Sequence, residues 1–222
     1  MQLTHKKNSY LKSLIFTTAL IFCAWGNLQA QEIEVGSAAA FAVALNTDGT
    51  LNEGTSDCFI NKGNGKSKRW GWSNGEFYAD GSSQDYVFDL IAGAGRCELD
   101  SGTDAGQVIM SIAPNGNVMV TYIVKDYSND PDYDVYSILR DVHLYIGCDY
   151  TPRKLAPGQY PFKPTTIYDD ANDQWIATVT ISADDPALAC GGDGFYMIAH
   201  AELENMPKLL ACPCWSDLSV LE

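Results

Sequence analysis

Val108-Ile109-Met110-Ser111-Ile112 and Val118-Met119-Val120-Thr121-Tyr122-Ile123-Val124 stand on either side of Ala113-Pro114-Asn115-Gly116-Asn117. Both flanks are short runs rich in β-branched and apolar residues, as expected for strands. Between them, Asn115-Gly116 reads as the positive-φ pair of a tight hairpin turn. A β-hairpin is therefore expected at the centre of the chain.

The same signature recurs outward. Gln84 to Leu90 places Tyr86, Phe88 and Leu90 on one face. Trp175 to Ile181 places Trp175, Ala177, Val179 and Ile181 opposite Ile176, Thr178 and Thr180. Val142 to Gly147 and Phe195 to Leu203 are further strands, and Ala38 to Leu45 is a strand or a short helix. Polar turns rich in Gly, Asn, Asp and Pro separate these runs, with no helical period between them. The expected fold is all-β: an antiparallel β-sandwich, Ig-like or jelly-roll-like, with long loops. Residues 31–222 are read as one domain, within which 31–80 form an N-terminal extension or a small lobe.

The first thirty residues have a different character. Lys6, Lys7 and Lys12 precede an apolar run from Leu14 to Ala24, and no acid occurs before Glu32. The run is shorter than the roughly 20 residues a membrane helix needs, and it suits the apolar segment of a cleavable signal peptide over residues 1–30. Cleavage after Gly26 or Ala30 fits, and the spacing favours Ala30. Phe22 before Cys23 is too large for a lipoprotein cleavage box. No second long apolar run follows, so no membrane insertion is expected after cleavage. The protein is expected to be secreted, extracellular or at the cell surface, or periplasmic.

Charge and cysteine count both change with that cleavage. Three of the 14 Lys and Arg residues precede residue 30 and none of the 28 Asp and Glu residues does, leaving 11 bases against 28 acids, a net charge of −17. Such a field disfavours nucleic acid and anionic membranes as partners. Cys23 leaves with the leader. Cys58, Cys97, Cys148, Cys190, Cys212 and Cys214 then allow up to three disulfides with 15 connectivities. Zinc is the rival reading, but Cys212-Pro213-Cys214 lacks the two-residue spacer of zinc sites. A Cys212–Cys214 bridge would be strained, so each is expected to pair with a distant cysteine.

Several phrases in order also carry a resemblance. Ala92-Gly93-Ala94-Gly95 is followed by Gly106-Gln107-Val108, the Asn-Gly hairpin, and His143-Leu144-Tyr145-Ile146-Gly147. Ala156-Pro157-Gly158-Gln159-Tyr160-Pro161-Phe162 and Tyr196-Met197-Ile198-Ala199-His200-Ala201-Glu202 complete the set. Over roughly residues 55–205 this resembles a recurrent, uncharacterised β-rich domain of secreted bacterial proteins. The resemblance implies an extracellular β-sandwich and brings no established activity.

Three candidate sites follow from the residues. Trp70 and Trp72 are two apart, so in a strand they share a face. Asn74, Glu76 and Tyr78 would then supply polar partners for a sugar stacked on the indoles; core packing is the competing reading. Asp126, Asp130, Asp132 and Asp134, with Asn129, offer hard oxygens for calcium, although Val135 replaces the glycine of an EF-type loop. Asp169, Asp170 and Asp173 form a second acidic turn. His143 and His200 would meet if their strands pair, with Asp141 or Glu202 completing a metal set; packing histidines are the alternative. No G-x-S-x-G elbow is present. The leading expectation is a non-enzymatic binding, accessory or structural module whose partner is a glycan or another surface protein. A carbohydrate-binding module and a secreted metal-dependent hydrolase are the alternatives.

Overall fold

The computed structural model describes residues 36–60, 69–125 and 138–204. The ten strands of this region are β1 (Ser37–Val43), β2 (Ser56–Cys58), β3 (Trp72–Phe77), β4 (Gln84–Ala92), β5 (Thr103–Ile112), β6 (Val118–Lys125), β7 (Ile138–Gly147), β8 (Thr166–Asp169), β9 (Gln174–Ile181) and β10 (Phe195–Glu204). All pair antiparallel in one sheet, ordered β2-β3-β10-β1-β4-β5-β6-β9-β8, with β7 on the other side of β10. The sheet folds over as a sandwich. Tyr122 on β6 reaches across the interior, its hydroxyl donating to the His143 carbonyl on β7 at 3.3 Å.

Strand alternation explains the core. On β5 and β6, Val108, Met110, Ile112, Val118, Val120, Tyr122 and Val124 point inward and are buried, while Thr121 and Met119 face outward. Each fully buried aliphatic side chain contributes about 1.5–3 kcal/mol of transfer free energy. The hairpin forms in the expected register, Ile112 opposite Val118, but its turn is different. Gly116 donates to the Ala113 carbonyl at 2.8 Å, and only Gly116 has positive φ, +82°. Pro114 accounts for this: its fixed φ seats it at the second position of a four-residue turn, so Asn115 comes third and Gly116 takes the left-handed position after it.

β1, β7 and β10 are buried on both faces. Their sequences run almost continuously apolar because a second layer covers them. The Ala38 to Leu45 segment, open between strand and helix on sequence, supplies β1 through Val43, at the centre of the sheet between β10 and β4. β1, β2 and β3 belong to this same sheet, so residues 36–60 and 69–80 form no separate lobe.

Among the described residues, two disulfides staple the fold. Cys58–Cys97 ties β2 to the turn after β4 across 39 residues, and Cys148–Cys190 ties the end of β7 to the loop before β10 across 42. Loops of this length give a loop-closure stabilisation of about 4 kcal/mol each. The four described cysteines pair with one another, which corrects the expectation that Cys212 and Cys214 each bridge to a distant cysteine of this set; both lie outside the described residues, as does the leader. Such bridges mark a chain that folds outside the reducing cytoplasm. Among the described residues, no helix is long and apolar enough to cross a membrane.

Candidate functional site

The outer face of β1, β7 and β10 carries its own apolar cluster: Phe41, Val43, Phe59, Trp72, Ile91, Tyr145, Tyr160 and Ile198. Its cover comes from the segments before β3 and after β7. Phe162 locks the latter in place by exchanging backbone hydrogen bonds with Leu144 at 2.8 and 3.2 Å. Between the cover and the sheet lies a cleft of about 350 Å³ lined by Ala39, Phe41, Arg69, Trp70, the 155–158 segment, His200 and Glu202.

Trp70 forms one wall, half-buried, its ring edge-to-face with Phe41 at 5.1 Å. Gly71 sets that pose. Its φ of +145° breaks strand alternation ahead of β3, and an added Cβ would lie 2.6 Å from Phe59 and 2.7 Å from Phe41. Trp72 is consequently buried, fully, and stands at 83° to Trp70 with centroids 6.0 Å apart. The expected coplanar platform of Trp70 and Trp72 is thus corrected: one indole borders the cleft and the other packs beneath it.

The remaining members of that set disperse. Asn74 is fully buried at the fork where β10 exchanges its neighbour β3 for β1. Its side-chain nitrogen donates to the carbonyls of Ala42 at 3.1 Å and Met197 at 3.4 Å, while its oxygen accepts from the Ser56 hydroxyl. It ties the fork together and is closed to ligand. Glu76 and Tyr78 are exposed and bond to each other at 2.8 Å.

His143 and His200 do meet. They are direct cross-strand partners on β7 and β10, with ring centroids 5.5 Å apart. The neighbouring cross-strand pair is Asp141 and Glu202, and the bulge falls beyond it, so Glu202 keeps the face of His200. Asp141 approaches the His143 ring at 3.4 Å. Among the described residues no three His, Cys, Asp or Glu side chains gather closely enough to hold a metal ion, so the expected set of His143, His200 and Glu202 is not assembled as a metal centre. Both imidazoles are buried, and among the described residues neither Nδ1 has a hydrogen-bond partner. Burial, reinforced by the adjacent His143, pushes the His200 pKa down to about 3.

Two phenols of the outer apolar cluster move the opposite way. Burial raises Tyr160, and it pushes Tyr145 up to about 12. Asp169 is occupied within the β8–β9 turn, accepting from Ala171 at 3.1 Å and Asn172 at 2.7 Å, and Asp173 accepts from Tyr168. The calcium candidates Asp126, Asp130, Asp132 and Asp134 lie outside the described residues.

Sequence reasoning missed the partners of Trp70. Phe41 and the 155–158 segment join it only through the second layer, and the one available signal was the apolar phrase Leu155-Ala156-Pro157 beside a glycine. Compared with known proteins, the chain matches no family model, no curated protein and no solved structure.

Proposed function

We propose that the chain is an exported recognition module, acting without catalysis, that holds its ligand in the cleft beside Trp70. Residues 1–30 act as the leader and residues 31–222 as the working protein. The observation that carries this reading is the cleft itself: a concave, largely apolar and aromatic site with a few charged groups at its edge, on a disulfide-stapled sheet. Small-molecule sites have this composition.

Of the residues that line the cleft, His200 is held neutral around pH 7, its pKa driven far below neutrality by burial, whereas a general acid or base works best with a pKa near the operating pH.

The test is a binding screen of residues 31–222 against an array of glycans and short peptides, with and without calcium. The reading expects saturable binding that Trp70→Ala abolishes or weakens and that reports no turnover. Hydrolysis of a bound probe, or binding indifferent to Trp70→Ala, would contradict it. A calcium requirement would direct attention to Asp126, Asp130, Asp132 and Asp134.

A further inference from the structure

The geometry points to an uncharged sugar ring as the ligand of the cleft, an assignment that rests on the recognition reading above. Charge is the first argument. Among the described residues that line the site, Arg69 and Glu202 carry opposite formal charges. A ligand carrying a single charge would be attracted by one of them and repelled by the other. The chain as a whole carries −14, which adds a long-range penalty for anions.

Shape supplies the second argument. The half-buried Trp70 and its edge-to-face partner Phe41 give an aromatic wall, and Leu155, Ala156 and Pro157 give an aliphatic one. A saccharide ring matches such a site because it has an apolar C–H face and a rim of hydroxyls. The face lies on the indole, while the hydroxyls donate to the Glu202 carboxylate and accept from the Arg69 guanidinium. At about 350 Å³ the cleft falls at the small end of ligand sites, which suits one or two rings rather than a long chain.

Preorganisation supplies the third. Trp70 is held by Phe41 on β1 and by the constrained Gly71, and the floor is two paired strands. A rigid site loses little entropy on binding. Gly158 stands at the rim, where an added Cβ meets nothing within 4 Å, so a bulky residue can be introduced there without straining the fold.

The experiment is calorimetric titration of residues 31–222 with neutral oligosaccharides of glucose, xylose, mannose and N-acetylglucosamine. An oligogalacturonate and a blocked tetrapeptide serve as charged and non-sugar probes. At least one neutral oligosaccharide should bind. Trp70→Ala should weaken it by about tenfold, the energy of one aromatic contact, and Trp70→Phe by much less. Gly158→Phe should abolish binding with an unchanged melting temperature, which guards against a Trp70 variant that fails to fold. Binding of the tetrapeptide or the oligogalacturonate alone, still sensitive to Trp70→Ala and Gly158→Phe, would overturn the sugar assignment and leave the recognition reading standing. If none of these probes binds, the sugar assignment fails. If ligands found in the wider screen are indifferent to both variants, the recognition reading fails as well.

Discussion

Asn74 and His200 show how single buried polar groups shape this protein. Asn74 sits where two strands meet the same side of β10 and supplies the hydrogen bonds that the broken ladder cannot. Its removal takes away the acceptor of the Ser56 hydroxyl proton and the donor shared by the Ala42 and Met197 carbonyls, at about 1–3 kcal/mol for an unsatisfied group. Asn74→Ala should therefore cost about 2–3 kcal/mol in urea unfolding, and Glu76→Ala less than about 0.5 kcal/mol. His200 works through pH. Its folded pKa, about 3, lies below its unfolded value of 6.5, so the unfolded chain takes up the proton first. The stability this contributes is complete above pH 6.5 and is lost as pH falls from there toward 3. The slope approaches about 1.4 kcal/mol per pH unit. The stability difference between wild type and His200→Gln, followed by urea unfolding from pH 7 to pH 4, should shift steadily in favour of the variant as pH falls. Parallel curves would show that the imidazole is not held neutral.

At the scale of elements, alternation and its absence separate two kinds of strand. On β6, Val120 is fully buried and Thr121 faces outward, where its hydroxyl lies 3.1 Å from that of Thr178. Val120→Ala should cost about 2 kcal/mol and Thr121→Ala about 0.5 kcal/mol or less, measured by thermal or urea denaturation. Alternation is legible in the sequence for β4 and β9, whereas β5 and β6 are marked by the β-branched runs on either side of Pro114-Asn115-Gly116-Asn117. The near-continuous apolar runs of β7 and β10 marked them as strands without showing what covers their second face. That cover comes from segments distant in the chain, and no local pattern records it. The Trp70–Trp72 platform failed for a local reason: the period-two argument assumes extended backbone throughout, and Gly71 departs from it. The hairpin turn was misread for a similar one, because Pro114 shifts the turn one residue earlier than the Asn-Gly pair suggests. His143 and His200 meet because β7 and β10 pair in the register that sets them opposite, the condition on which the sequence left their meeting. Their failure to gather a third ligand is a matter of side-chain distance that no spacing rule contains.

For the whole molecule, the two disulfides and the folded-over sheet act together. Each bridge fastens a segment of the outer layer to a strand end, Cys58–Cys97 near β2 and Cys148–Cys190 near β10. Replacing Cys58 and Cys97 together by serine should lower stability by about 2–4 kcal/mol, read from urea unfolding. Non-reducing peptide mapping should recover the 58–97 and 148–190 linkages intact in wild type. The cleft depends on the layer these bridges hold, since Arg69 and Trp70 follow Cys58 in the chain and the 155–158 segment follows Cys148. Recognition by the outer face is the claim on which the account turns, and the most direct measurement uses indole signals. With tryptophan labelled in residues 31–222, nuclear magnetic resonance follows the Nε1–H of Trp70, Trp72 and Trp175 as a bound ligand from the screen is added. The account predicts a saturable shift largest at Trp70, smaller at the buried Trp72, and negligible at Trp175 on β9. A ligand that shifts Trp175 while leaving Trp70 unmoved would contradict it.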